Sequence, residues 1–171
     1  MLYERRFTMK RISFKDSGGL NLTQAVLSGC KTMTRRNSGV YKVGDIVAIQ
    51  QTYRAVDAYR NMGALRLRLG QTAAWDNKMF VKAEYMPHHI RITDVKAERL
   101  QDIPDEDCLR EGVLFSERYA MPYGIPDYPH YGFFYYDTPR KAFAALIDKV
   151  GGHGTWNSNP LVWCYSFELV D

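Results

Sequence analysis

The chain has 171 residues, 46% of them hydrophobic and 25% charged, which is ordinary for a folded protein of about one domain. Its net charge of +4 is too weak to indicate nucleic-acid binding by itself, and no apolar run approaches membrane-spanning length. The three cysteines, Cys30, Cys108 and Cys164, are odd in number and far apart. They therefore argue against a disulfide framework or a zinc site and favour a reducing cytoplasm.

A short strand is predicted near the start of the chain, over 10–14. Residues 1–8 before it are expected to form an extension and not a secretory signal, because they lack an apolar core. Helical spacing of apolar residues then predicts an amphipathic helix, with its glycine as the C-terminal cap: Leu22, Ala25, Val26 and Gly29. A strand over 32–36 leaves that helix.

The middle of the chain is expected to hold three more strands, over 46–53, 79–85 and 89–99. Residues 55–78 have weak periodicity and indicate an insertion. A second helix is predicted to start after Pro104, where three acidic residues suit the positive end of the helix, and to end at Gly112.

The last third begins with an irregular, Tyr- and Phe-rich segment over 113–137, interpreted as a second insertion. Thr138 and Pro139 are typical of the start of a third helix. The final strand places alternate residues on one face: Leu161, Trp163, Tyr165, Phe167 and Leu169. Many short strands with few helices predict an α+β fold, namely a small mixed β-barrel with peripheral helices whose terminal strand pairs with a central one.

The segment 29–36 is the strongest functional signal. It places a Lys, two Thr and two Arg within six residues, inside a window without Asp or Glu that extends from Ser17 to Gly44. Such a basic, hydroxyl-bearing surface suits a phosphate-bearing or nucleoside-like ligand.

Each candidate residue has an ordinary structural interpretation beside the functional one. Lys31 is a cap at the helix end or a base with a lowered pKa, and Thr34 is a strand former or a nucleophile. Glu111 lies at the unfavourable end of its helix and is either a solvated surface residue or a proton donor. Arg36 is a surface residue, or it binds phosphate or holds Glu111.

Aromatic residues offer further candidates. Trp163 is expected in the core, whereas Trp156 lies in a Gly/Asn-rich loop and is the better candidate for stacking on a ligand. The histidines lack metal-ligand spacing, so no metal site is expected. Eight rings in the second insertion either stack on bases or pack the insertion onto the domain: Tyr119, Tyr123, Tyr128, Tyr131, Phe133, Phe134, Tyr135 and Tyr136.

Four segments, in this order, resemble the ASCH family, a branch of the PUA-like β-barrels. Residues 25–36 resemble the signature (I/V)LxGxKTxTxR, and 41–47 resemble the Gly-Asp turn with its following strand. Residues 105–112 resemble the acidic helix that ends in Glu-Gly, and 159–167 resemble the closing strand. The arrangement is most similar to that of phage- and prophage-encoded members.

The resemblance implies a single ASCH domain over 9–171, with insertions at about 55–78 and 113–137 and no cofactor. In small bacterial members that act as acetylcytidine amidohydrolases, the functional residues are a Lys, a Thr and an Arg of the first motif and a Glu of the second helix. These correspond to Lys31, Thr34, Arg36 and Glu111.

Two functions are hypothesised. The first is hydrolysis of an N-acyl group on a cytidine-like nucleoside or RNA base, in which Thr34 attacks, Lys31 activates it and Glu111 protonates the leaving amine. Arg36, Arg35 and Trp156 would bind the substrate, although Arg35 is expected at the strand surface. The alternative is a non-catalytic RNA- or base-binding module that uses the same residues, or a phage-derived interaction protein; no membrane or metal partner is expected.

Overall fold

The computed structural model describes residues 8–126 and 133–170. The fold is mixed α+β, with two sheets and several helices, in agreement with the predicted class. The chain divides into two compact units, one whose described residues are 8–13, 46–90 and 170, and one that holds the described residues of 14–45 and 91–169. Of the described helices, none is long and apolar enough to cross a membrane.

The helices and strands follow one another along the chain in this order: β1 (Lys10–Ile12), α1 (Leu22–Leu27), β2 (Met33–Arg36), β3 (Ile46–Ile49), α2 (Tyr53–Arg60), α3 (Ala64–Leu69), β4 (His89–Arg99), α4 (Asp105–Arg110), β5 (Leu114–Phe115), β6 (Tyr123–Ile125), β7 (Phe133–Tyr136), α5 (Pro139–Gly151), α6 (Thr155–Ser158) and β8 (Leu161–Leu169). Short 3-10 helices occupy Ala73–Trp75, Lys78–Phe80, Ala83–Tyr85 and Leu100–Asp102.

In the first unit, β1 and β3 pair in parallel, with Ile12 opposite Ile49. The predicted first insertion holds α2 and α3, and α2 begins where the Thr52 side chain accepts a hydrogen bond from the Ala55 N–H. The predicted strand over 46–53 therefore ends early, at β3. The helices and turns of this unit pack around one apolar cluster: Ala48, Tyr53, Val56, Ala74, Val81 and Met86.

The strand predicted over 79–85 is wrong, because this stretch forms two 3-10 helices. Val81 is fully buried whereas Met79, two residues before it, is 61% exposed, so the stretch lacks the one-sided burial of a strand. The Asn77 side chain accepts a hydrogen bond from the Met79 N–H, which favours a turn over an extended chain.

In the second unit, the C-terminal strand β8 lies between β4 and β2. It pairs antiparallel with β2, and Thr34 stands opposite Tyr165 while Arg35 stands opposite Cys164. In the described residues, neither sheet closes on itself: the larger sheet has the order β1-β3-β4-β8-β2, with β1 and β2 at its edges. The predicted closed barrel is therefore not seen in these residues.

The predicted irregular segment over 113–137 instead forms, in its described part, the antiparallel sheet β5-β6-β7. Gly124 permits this close pairing, because a Cβ added there would lie 2.3 Å from the Phe133 carbonyl oxygen. Strands of two to four residues are too short to leave a recognisable alternation in the sequence. Tyr128 and Tyr131 lie outside the described residues.

The third predicted helix is α5 of the structure. It begins where predicted, and the Thr138 side chain accepts a hydrogen bond from the Lys141 N–H. On β8, Tyr165 and Phe167 are buried, but Trp163 is 38% exposed, so its assignment to the core is wrong. Its indole lies directly on Gly39, where an added Cβ would come within 2.6 Å of the ring.

Candidate functional site

The basic segment leaves α1 through a tight turn. Ser28 ends the helix, and Gly29 follows with a φ of 77°, the left-handed conformation expected of a terminating glycine. The Lys31 N–H then donates back to the Ala25 carbonyl at 2.8 Å, which ties the main chain to the helix end. Backbone hydrogen bonds therefore cap the end of α1, and the Lys31 side chain takes no part in the cap.

Lys31 and Glu111 form a buried ion pair. The Lys31 ammonium donates to Glu111 Oε2 at 2.5 Å and to the Glu111 carbonyl oxygen at 2.8 Å. The two side chains are only 3% and 4% exposed. Glu111 is the C-terminal cap of α4, and Gly112 after it has a φ of 102° and lies beside the Lys31 stem. The fold thus brings together two predicted residues that are 80 positions apart.

Burial lowers the pKa of Lys31, because a charged ammonium is costly in a dry environment. The carboxylate of Glu111 opposes this effect, while the positive charges of Arg36 and Arg35 add to it. Lys31 therefore releases its proton more readily than a surface lysine.

Arg35 takes the other oxygen of Glu111. Its guanidinium donates to Glu111 Oε1 at 2.9 Å and to Glu98 Oε1 at 2.5 Å, and it lies 3.4 Å from Asp107 Oδ2. The Arg35 side chain is 1% exposed, so its expected position at the strand surface is wrong. Burial opposes its charge, but Glu111 and Glu98 outweigh burial and raise its pKa.

Further cations surround the same carboxylates. Lys96 lies 3.1 Å from Glu98 Oε2 and 3.2 Å from Asp107 Oδ2, and Arg110 donates to Asp107 Oδ1 at 3.1 Å. We call these residues, with Lys31, Arg35 and Glu111, the charge network. Lys96 and Glu98 were not predicted as site residues, because a β4 strand with alternating charges looks like any solvated strand face.

Thr34 and Arg36 lie on the opposite face of β2 from Arg35, because successive strand residues alternate. Thr34 is 4% exposed. Arg36 places its guanidinium 5.4 Å from the centre of the Phe14 ring. Burial raises the pKa of Tyr41, and the charge of Arg36 acts against that rise.

Tyr41 and Tyr165 complete this face of β2, with ring centres 5.1 Å apart in an edge-to-face arrangement. The predicted residues thus divide between two faces of one strand. Lys31 precedes the strand. The charges of Arg36 and Arg35, which lie on opposite faces of β2, both lower its pKa. Tyr41 was missed as a candidate, because one tyrosine before a Gly-Asp turn has no distinguishing pattern.

Trp156 lies on α6 and not in a loop. Its ring packs edge-to-face on Phe143, with centres 6.0 Å apart, and lies 5.1 Å from the Arg140 guanidinium. The main-chain N–H of Trp156 donates to Asp148 Oδ1 at 2.8 Å. The Arg35 guanidinium lies 5.8 Å from the centre of the Phe143 ring, so Phe143 contacts both Trp156 and a member of the charge network.

Two of the three thiols are poor nucleophiles because they are buried. Burial raises the pKa of Cys108 and of Cys164 to about 12 each, and Cys164 donates a hydrogen bond to Glu98. Cys30 is exposed and free. Among the described residues, no group of three or more His, Cys, Asp or Glu side chains is arranged to hold a metal ion.

Replacing Gly112 by alanine is expected to cost about 1–2 kcal/mol of stability, because its φ of 102° is unfavourable for any residue with a Cβ. Urea denaturation measures this loss. Gly18→Ala, at a φ of 67° in an open loop, should cost a similar amount. The new methyl group of Gly112→Ala would lie 3.5 Å from Lys31 Cβ, an ordinary van der Waals distance, so the expected cost comes from the backbone conformation alone. An unchanged stability in Gly112→Ala would contradict this account.

Comparison with known proteins adds little to this geometry. No family model and no curated protein matches the chain. One solved structure, protein EF3133 from Enterococcus faecalis V583 of the family model DUF984, is similar over 90% of this chain and 69% of its own, with 17% identity and a TM-score of 0.43. A similarity this weak supports no inference about function.

Proposed function

We propose that this chain is a PUA-like protein of the ASCH family that hydrolyses the acyl group of an N-acylated cytidine-like nucleoside or base. The observation that carries the proposal is the 2.5 Å contact between Lys31 Nζ and Glu111 Oε2, both buried. The ASCH resemblance assigns the chemistry to these two residues together with Thr34 and Arg36. The unpaired cysteines are consistent with a cytoplasmic enzyme.

The buried pair can hold its proton in either of two ways. Moving one proton from Lys31 to Glu111 converts the ion pair into a neutral amine and a carboxylic acid. Burial lowers the pKa of Lys31 and so favours the release of its proton. The neutral pair contains a general base and a general acid side by side.

In the acylation step, the Thr34 oxygen bonds to the acyl carbon while its proton passes to the Lys31 amine. The C–N bond to the base then breaks, and the leaving amine takes the proton of Glu111. The pair now carries the charges of the ion pair seen in the structure. Water next attacks the Thr34 ester, giving one proton to Glu111 while Lys31 returns one to the Thr34 oxygen. The neutral pair is restored, and the products are the amine and the acid.

The two faces of β2 suit different tasks in this scheme. The face with Thr34, Arg36 and Tyr41 carries the proposed nucleophile, a cation and an aromatic ring, which are the groups that an acylated nucleobase needs. Arg35 on the other face directs both terminal nitrogens of its guanidinium to carboxylates. We therefore assign it to holding Glu111 in position, and not to contact with the substrate.

The test is release of acetate and cytidine from acetylcytidine by the purified protein. Glu111→Gln is expected to lower kcat about 100-fold, because the amide cannot donate an acidic proton. Glu106→Gln is the matched control, since Glu106 is an exposed acid of the same helix. It should leave turnover unchanged.

Two results would overturn the proposal. One is a wild-type protein that binds acetylcytidine without hydrolysing it, which would establish the non-catalytic binding module. The other is equal turnover by wild type and Glu111→Gln.

A further inference from the structure

A partly exposed tryptophan lies on the same face of the sheet as the proposed nucleophile. Trp163 of β8 stands opposite Arg36 of β2. Two residues further along β8, Tyr165 stands opposite Thr34. Residues that stand opposite each other in an antiparallel pair project from the same face of the sheet. Trp163 and Thr34 therefore share a face and lie about 7 Å apart along the strand direction.

Accessibility along β8 shows from which end Thr34 is approached. Tyr165, which faces Thr34, is fully buried, and Phe167 beyond it is 4% exposed. In the other direction the exposure rises, to 38% at Trp163 and 57% at Leu161. On this face, the exposed route to Thr34 therefore runs past the Trp163 ring.

The backbone of Gly39 fixes the position of the indole. A Cβ added to Gly39 would lie 2.6 Å from Trp163 Cε2 and 2.9 Å from Trp163 Cδ2, the two atoms at which the rings of the indole are fused. The Tyr165 hydroxyl donates to the carbonyl oxygen of Ser38 at 2.8 Å, which ties this stretch of chain to β8. An aromatic surface that is held in place in the free protein loses little freedom when a ligand stacks on it.

Two other aromatic rings are less suited to stacking on a substrate. The Tyr41 ring is half-buried and meets Tyr165 edge-to-face. The Trp156 ring, which the sequence suggested for this role, packs on Phe143 of α5. Trp163 keeps more than a third of its surface open and shares a face with the proposed nucleophile.

We propose that Trp163 is the surface on which the nucleobase of the substrate stacks, and that Gly39 positions its indole for this contact. The inference rests on the proposed function, because it names the residue that recognises the base at the same site. An acyl group on an exocyclic amine lies next to the ring that bears it. The acyl carbon can therefore reach Thr34 while the base lies over Trp163. Stacking on an aromatic side chain holds a base through its flat surface, which every base possesses.

The experiment measures the KM for acetylcytidine and the Kd for cytidine with the purified full chain. Trp163→Ala is expected to raise both about 5- to 150-fold, and Trp163→Phe to preserve most of the affinity. The kcat should change little, because stacking is present both before and during the reaction. Leu161→Ala is the matched control, since Leu161 is exposed on the same strand face but lies further from Thr34. It should leave both constants unchanged.

A second variant tests the same contact without removing the ring. Gly39 does not have a positive φ, so alanine fits its backbone, but the new methyl group would push the indole aside. Gly39→Ala should therefore weaken cytidine binding. In the Trp163→Ala background the indole is gone, and Gly39→Ala should have no further effect on the Kd. Equal losses from Gly39→Ala in both backgrounds would contradict its positioning role.

Tryptophan fluorescence reports the stacking directly. Saturating cytidine is expected to quench the emission of the wild type, and Trp163→Phe should abolish the quenching. Unchanged KM and Kd in Trp163→Ala, in a protein that hydrolyses acetylcytidine, would overturn the stacking surface alone. Cytidine binding that depends on Trp163, in a protein that does not hydrolyse acetylcytidine, would overturn the proposed function alone.

Discussion

Replacing Arg35 by methionine is expected to lower the free energy of unfolding by about 3–5 kcal/mol, because it removes the shared cation from three carboxylates. Glu111 and Glu98 accept its hydrogen bonds at 2.9 and 2.5 Å, and Asp107 lies 3.4 Å away. The Arg35 side chain is 1% exposed, so water does not replace it. Urea denaturation at neutral pH measures the loss.

The matched control for this variant is Arg91→Met. Arg91 pairs with Glu168 at 2.8 Å, but their side chains are 51% and 54% exposed. A pair this exposed is expected to contribute less than about 1 kcal/mol. If both variants lost equally little, the charge network would not stabilise the fold.

The cost of Arg35→Met should depend on pH. Burial alone would raise the pKa of Glu98, but hydrogen bonds from Arg35 and Lys96 outweigh burial and lower it. A carboxylate whose pKa is lowered in the folded state adds stability above its unfolded pKa of about 4, and this stability is lost as the pH falls through the folded pKa. The difference between wild type and Arg35→Met should therefore be constant near neutral pH and shrink below about pH 4.

Local signals predicted the start of the site well. The apolar spacing of α1, the terminating Gly29 and the following strand all depend on residues within a few positions of one another. The acidic first turn of α4 and its Gly112 end are equally local. Such elements are recognisable because helix propensity and capping act over one or two turns.

The charge network could not be predicted in the same way. Glu98 lies 63 positions from Arg35, and the two meet only because β8 lies between β2 and β4 in the sheet. The pairing order of strands depends on tertiary packing that no local pattern encodes. The basic segment pointed to Lys31 by itself, but sequence reasoning joined it to Glu111 only through the ASCH resemblance.

The position of Arg35 illustrates the same limit. In the sequence, Arg35 and Arg36 are adjacent and both are predicted to bind substrate, with Arg35 expected at the strand surface. In the structure they face opposite sides of β2, where one meets carboxylates and the other meets the Phe14 ring. The side on which each arginine lies depends on where α4 packs, and Asp107 of that helix is 72 residues further along the chain.

Replacing Lys31 by methionine is expected to lower kcat/KM for acetylcytidine by about 100- to 10,000-fold, because the proposed base for Thr34 is lost. Burial, with Arg36 and Arg35, lowers the pKa of Lys31 against the effect of Glu111. The proposed scheme needs the Lys31–Glu111 pair to keep one proton for the leaving amine, so the wild-type rate should fall as the pH rises through the lowered Lys31 pKa, below the ordinary lysine value of about 10.4. Lys42→Met changes an exposed lysine of the same acid-free window and should preserve both the rate and its pH dependence.

The same variant has a consequence for stability that requires no substrate. Because the pKa of Lys31 is lower in the folded state, the unfolded chain binds more protons between that pKa and about 10.4. The stability of the wild type relative to Lys31→Met should therefore increase as the pH rises through this window. Urea denaturation at several alkaline pH values measures the free energy of unfolding of both proteins. Groups that titrate alike in wild type and Lys31→Met cancel when one value is subtracted from the other. A difference that stays flat with pH would mean that Lys31 is an ordinary charged lysine, and the proposed base would then be untenable whatever the substrate.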